Sequence, residues 1–178
     1  MKDVTIIIPC AQEALYIRKC IESIVALDFS QIAACEILVV DGMSTDGTRA
    51  IVREISQLDP RVKLLDNPKV VTASGLNVGI KAARYDTIVR CDAHSEYEHS
   101  YLTTGLKELD KSGADVVGGP WIAAGRNPKS CMVAEVFQNG LFMLGAKAHD
   151  QEFSGRADTV YLGFYPRRSF ERFGMFDE

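Results

Sequence analysis

At 178 residues the chain is long enough to bury a sizeable core as one domain, and its 47% apolar and 25% charged residues are ordinary for a folded globular protein. The net charge of −4 excludes the basic footprint that nucleic acid or an anionic membrane surface requires. No apolar run of about 18 residues exists, so no spanning helix is expected, and Met1 to Val4 enters an apolar strand without the marks of a secretory leader, so a cytoplasmic location is expected.

Val4 to Ile8 is a β-branched run closed by Pro9 and reads as a buried strand. Ile17, Cys20, Ile21, Ile24 and Val25 then recur at helical spacing. Glu36 to Val40 is a second strand, and Asp46 after it is placed to cap a helix through about Leu58, with Ile51, Val52 and Ile55 inward. Val62 to Leu65 is a short third strand, and Thr72 or Ser74 can open a helix carrying Leu76, Ile80 and Ala83. Thr87 to Cys91 is the fourth strand, followed by a helix from about Tyr101 to Lys111 and a strand from Asp115 to Val117. Past Trp121 the rhythm weakens: Ala134 to Leu144 reads as a helix despite glycines at 140 and 145, Thr159 to Tyr165 as a strand, and Arg167 to Phe173 as a helix after Pro166. The alternation predicts an α/β fold, a mostly parallel Rossmann-like sheet with helices on both faces. The cysteines, at 10, 20, 35, 91 and 131, show neither zinc spacing nor an even disulfide count and read as reduced, buried thiols.

The segment Thr87-Ile88-Val89-Arg90-Cys91-Asp92-Ala93-His94 ends in an acidic residue and a histidine two apart. On a strand these side chains would face the same way, and ligands of open α/β sheets bind outside the carboxyl ends of strands, so the pair could hold a divalent cation against a phosphate. The turn after the first strand, Pro9-Cys10-Ala11-Gln12-Glu13, has no glycine, which argues against a dinucleotide fold; a Walker loop and a G-x-S-x-G elbow are absent too. What remains is an electronegative rim of Glu13, Asp41, Asp92 and His94 at strand ends, a kind of rim that accepts phosphate through a bridging cation.

These segments, in this order, resemble the family 2 glycosyltransferases of the GT-A fold, nearest to the bacterial branch that builds succinoglycan-like exopolysaccharides. The resemblance is carried by Val4 to Pro9 with Glu13, by Ile37 to Thr48, by Leu76-Asn77-Val78-Gly79-Ile80 leading to Arg90 to Ser95, and by Gly163 to Arg168 with Gly174 to Glu178. It implies an inverting transfer from a nucleotide-diphosphate sugar, a UDP-sugar first among them, to a growing exopolysaccharide or lipid-linked glycan. Pro9, Ala11, Glu13, Asp41, Asn77 and Asp92 would bind the donor nucleotide. Asp92-Ala93-His94 matches the family's DxD motif, with Asp92 and His94 holding Mn²⁺ or Mg²⁺; imidazole favours manganese. Gly42 stands where many relatives carry a second aspartate. Trp121 would stack on an acceptor sugar.

The family's general base follows the Gly174 to Glu178 segment, so it is expected beyond Glu178, with Asp177 or Glu178 as stand-ins. The chain is thus expected to be one catalytic domain cut short, with 1–118 binding the donor and 119–178 beginning the acceptor part. A longer protein could associate peripherally with the inner face of the membrane. A donor-binding fragment or pseudoenzyme is the alternative, and a sugar-phosphate nucleotidyltransferase is disfavoured because the first turn lacks a basic, Gly-rich loop.

Overall fold

The apolar run at the start of the chain becomes the middle of a five-stranded sheet of order β3-β2-β1-β4-β5. The computed structural model describes residues 1–125, 127–138, 153–157 and 159–178. The elements are β1 (Lys2–Cys10), α1 (Ile17–Val25), β2 (Ile32–Asp41), α2 (Thr48–Leu58), β3 (Val62–Asp66), α3 (Thr72–Ala82), β4 (Thr87–Arg90), α4 (Tyr101–Ser112), α5 (Pro128–Gln138), β5 (Gly163–Pro166) and α6 (Arg167–Phe173). β1 pairs in parallel with β2 and β4, and β2 with β3, while β5 runs antiparallel to β4. The chain forms two compact units, Met1–Val117 with Leu162–Glu178, and Gly118–Tyr161. Among the described residues, no helix is long and apolar enough to cross a membrane.

The sheet is buried on both faces, which is why its strands read as continuous apolar runs. Val4, Ile6 and Ile8 face one cluster with Ile21 and Ile24 of α1, Val52 of α2 and Leu102 of α4; Ile7 faces the other, with Leu76 and Ile80 of α3. Pro9 does not close β1 but lies within it. The carbonyl of Ile7 accepts from Cys91 N at 2.9 Å, so Pro9, two residues on, points the same way but past the last β4 pair, where its missing N–H breaks no ladder.

Several boundaries differ from the sequence reading, each for a local reason. α3 starts at Thr72, one of the two expected openings, with Val71 as its cap, and the single Ser74 hydroxyl proton is shared between Asn67 Oδ1 at 2.7 Å and the Val71 carbonyl at 2.8 Å. α5 starts earlier than Ala134, because Asn127 and Ser130 cap reciprocally, Ser130 N to Asn127 Oδ1 at 2.9 Å and Asn127 N to Ser130 Oγ at 3.0 Å, with Pro128 at the first helical position. Residues 139–144 of that expected helix, and His149, lie outside the described residues. Asp115 to Val117 contributes only an isolated bridge from Val117 to Phe164, and the last strand begins at Gly163 rather than Thr159. Of the cysteines, 10, 20 and 91 are buried as expected, whereas Cys35 is half-buried and Cys131 exposed.

At the amino ends of the strands a buried carboxylate ties three segments together. Glu36 accepts from Thr5 Oγ1 at 2.9 Å, from the Arg84 N–H at 2.6 Å and from Lys63 Nζ at 2.8 Å. Arg167 works at this end too, donating to the carbonyls of Ala83 at 2.7 Å and Tyr85 at 2.9 Å. Burial pushes the Glu36 carboxyl toward the neutral form, but the hydrogen bonds from Lys63, Arg84 and Thr5 outweigh it and hold it below the ordinary glutamate value. A carboxyl lowered on folding contributes stability above its unfolded value of about 4.3 and loses it as the pH falls through the folded one. Glu36→Gln should therefore cost about 2 kcal/mol at pH 7 and flatten the loss of stability on acidification, as urea unfolding at neutral and acidic pH will read. Gly79 lets α3 lie against β1, since a Cβ there would sit 2.5 Å from Ile7 Cγ2 in a fully buried side chain. Gly79→Ala is expected to destabilise by about 1–3 kcal/mol in the same assay, even though alanine favours the helix by about 1 kcal/mol.

Candidate functional site

Strand order reverses between β1 and β4: β2 and β3 continue from β1 on one side, and β4 lies on the other. Crevices at such switch points, beyond the carboxyl ends of the strands, are where open α/β sheets bind ligands. A pocket of about 240 Å³ occupies this place. Pro9, Ala11 and Glu13 line it from the end of β1, Arg90, Asp92 and His94 from the end of β4, and Asn67, Val70 and Thr72 from the turn before α3. A wider groove of about 520 Å³ lies off the strand ends, along α2 and the edge strand β3, where Arg49 and Lys63 are already paired with Asp41, Asp66 and Glu36.

The loop after β1 is fixed to the loop after β2. Gln12 N donates to Ser44 Oγ at 2.7 Å, Glu13 N to Thr48 Oγ1 at 2.8 Å and Ala14 N to Asp46 Oδ2 at 3.0 Å. The Gln12 amide oxygen accepts from the N–H groups of Thr45 and Asp46, both at 3.2 Å. The Glu13 carbonyl accepts from Tyr16 N and Ile17 N at 2.9 Å, which ties Glu13 to the turn leading into α1. Asp46 is not the cap of α2: Gly47 takes that position at φ +104°, and Asp46, one residue earlier, accepts from the Thr48 N–H at 3.0 Å while the same carboxylate secures the neighbouring loop.

The loop after β4 is held as firmly, in a form the periodicity does not give. β4 ends at Arg90, and Asp92 to Ser95 is a turn with Ser95 N donating to the Asp92 carbonyl at 3.2 Å, so Asp92 and His94 are not side-by-side strand residues. Tyr97 Oη accepts from Asp92 N at 2.7 Å, and Cys20 Sγ donates to the Asp92 carbonyl at 3.3 Å. Arg90 Nη2 donates to Asp92 Oδ1 at 3.4 Å, and the buried Nε of Arg90 has no hydrogen-bond partner among the described residues. His94 Nδ1 lies 3.1 Å from Glu13 Oε1, joining the two loops across the pocket. Among the described residues, no three His, Cys, Asp or Glu side chains converge on one ion position.

Other residues singled out by sequence do not line the pocket. Asp41 is fully buried; Oδ2 accepts from Ser44 N and from Arg49 Nη1, each at 2.8 Å, and Arg49 reaches on to Asp66 at 2.6 Å. Burial opposes its charge, but these donors hold the Asp41 carboxyl below the usual aspartate range. Gly42 packs closely against the pocket wall, since a Cβ would lie 3.1 Å from Ala11 Cβ and 3.3 Å from Val70 Cγ1, tight contacts that these side chains would have to ease. Asn77 clamps the peptide of Phe176, donating to its carbonyl at 2.8 Å and accepting from its N–H at 3.0 Å. The carboxylate of Glu178 is engaged by Lys69 and by Asn77, which lowers its proton affinity, the reverse of what a general base needs; Asp177 is exposed. Trp121 belongs to the second unit, where it packs with Phe137 and Tyr161 at ring separations of 5.8 and 5.7 Å.

Sequence reading assigned no role to Arg90, Tyr97, Arg49 or Val70. Arg90 stood in view two residues before Asp92. Val70 is β-branched yet has φ +64°, an uncommon conformation held at the pocket wall.

The chain is 37% identical over 114 residues to the succinoglycan biosynthesis protein ExoA of Rhizobium meliloti, covering 63% of the chain and 34% of that protein. It is 25% identical over 196 residues to a GalNAc(5)-diNAcBac-PP-undecaprenol beta-1,3-glucosyltransferase of Campylobacter jejuni, covering 96% of the chain and 62% of the relative. The chain thus spans about a third of the first relative and under two thirds of the second. A mannosyltransferase of Pyrobaculum calidifontis, solved with GDP-Man and Mn²⁺, superposes with a TM-score of 0.68 over 98% of this chain and 47% of its own, at 22% identity. TarS of S. aureus, solved with UDP-GlcNAc, superposes with a TM-score of 0.57 over 71% of this chain and 36% of its own, at 24% identity. These likenesses give the GT-A fold. Residues 5–173 match glycosyl transferase family 2, and the chain belongs to that family.

Proposed function

We propose that the chain binds a nucleotide-diphosphate sugar in the switch-point pocket and serves as the donor side of an inverting glycosyl transfer to a glycan or lipid-linked acceptor. The observation that carries this reading is the meeting of Glu13, Asp92, His94 and Arg90 in one pocket at the strand ends. Relatives that assemble succinoglycan or extend an undecaprenol-linked glycan support the acceptor class, and with it a place at the inner face of the membrane.

The pocket fits a divalent cation held jointly with its ligand. Mg²⁺ and similar ions commonly take one or two protein donors and complete their shell with substrate phosphate and water, so the lack of a preformed cage among the described residues is compatible with Asp92 and His94 as the protein donors. Carboxylate plus imidazole leans toward Mn²⁺. When bound, such an ion neutralises charge on the departing diphosphate.

The chain's own residues do the rest. Arg90 supplies a fixed positive group beside Asp92, suited to a diphosphate oxygen. Tyr97 and Cys20 hold the Asp92 peptide so that its carboxylate stays at the pocket. Pro9 and Ala11 form the wall against the nucleoside, UDP first among the candidates. Asp41 supports that wall from below through Ser44 and Arg49, and Asn77 acts through the segment around Phe176. Trp121 stacks on the acceptor sugar. Calorimetry with UDP in the presence of Mn²⁺ should show binding that EDTA weakens, and Asp92→Ala should lower the affinity at least tenfold, about 1.4 kcal/mol, with an unchanged circular dichroism spectrum. Equal affinity in wild type and variant would contradict the proposal.

A further inference from the structure

Glu13 and His94 come from loops 81 residues apart, and their side chains meet at 3.1 Å through one particular nitrogen, Nδ1. A carboxylate can only accept at this contact, so a neutral imidazole facing it carries its proton on Nδ1 and leaves Nε2 with a free lone pair. We infer that Glu13 is a positioning residue that sets the tautomer of His94 and so selects Nε2 as the nitrogen offered to a cation. The inference rests on the proposal that His94 takes part in cation binding.

Three features make Glu13 suited to this. Its backbone is fixed from both sides: the N–H donates to Thr48 Oγ1 at 2.8 Å, and the carbonyl accepts from Tyr16 and Ile17 at 2.9 Å. Its side chain is 20% exposed against 58% for His94, so the anchored and shielded partner orients the freer one. Both residues line the same pocket as Asp92. Free neutral histidine prefers the proton on Nε2, the nitrogen most accessible to a metal, so a bare Nε2 has to be arranged. A carboxylate on the far ring nitrogen is a general way to arrange it, and it also makes the ligating nitrogen more basic.

The role separates from direct ligation by a measurement made without metal. Nitrogen-15 NMR of the metal-free chain at pH 8, where an ordinary imidazole is neutral, should show the Nδ1–H form for His94. Glu13→Ala should invert this toward Nε2–H and weaken Mn²⁺ binding about tenfold or more. Glu13→Gln keeps an acceptor oxygen at the same reach and should restore much of the Nδ1–H population. An Nε2–H ring in the wild type overturns the inference, as does a Glu13→Ala variant that loses Mn²⁺ affinity with its tautomer unchanged, since Glu13 would then act as a ligand. If the tautomer behaves as expected but His94→Ala leaves Mn²⁺ affinity intact, what fails is the cation reading of the pocket and the selection of Nε2 with it.

Discussion

Acidic side chains gathered at one end of a parallel sheet repel one another, and much of this structure is arranged around offsetting that repulsion without removing it. Asp41 is the innermost and is neutralised by Arg49, which also takes Asp66. Asp92 pairs with Arg90 at 3.4 Å, and Glu13 faces the His94 imidazole at 3.1 Å. An acidic rim of this kind is suited to a mobile cation that arrives with an anionic ligand.

That arrangement requires stiff loops, because carboxylates on mobile segments would swing apart into water. The loop after β1 is tied to the loop after β2 through Gln12, Glu13 and Ala14, and the turn after β4 is tied to α1 through Cys20 and Ser23. Tyr97 closes the second set, its ring against Tyr101 and Tyr101 against Phe164 of β5. The antiparallel β5 strand thereby braces the β4 turn through the same core that packs α1 and α4. At the other end of the strands, Glu36 and Arg167 hold the α3–β4 connection.

The sheet and its first helices were legible because burial on both faces writes itself as apolar runs and 3.6-residue periodicity, as in Ile6 to Ile8 and in Ile17, Cys20, Ile21 and Ile24. The site was legible in part: strand-end residues Glu13, Asp92 and His94 do share a pocket. Their geometry was not, since β4 stops pairing at Arg90 and the next residues turn, which a period-two argument cannot foresee. Contacts such as Glu13 with His94, or Asn77 with Phe176 across 99 residues, depend on topology rather than local pattern. α5 starts ahead of the expected Ala134 for a different reason: Asn127-Pro128-Lys129-Ser130 carries a helix-start signal that apolar periodicity does not register.

The central claim is that Asp92 and His94 form the protein's share of a cation site at the diphosphate end of the pocket. Crystals of this chain grown with UDP and Mn²⁺, with data collected at the manganese absorption edge, test it most directly. The account predicts a manganese peak between the Asp92 carboxylate, His94 Nε2 and the diphosphate. A nucleotide bound with its diphosphate away from these residues, or manganese held elsewhere, would contradict it.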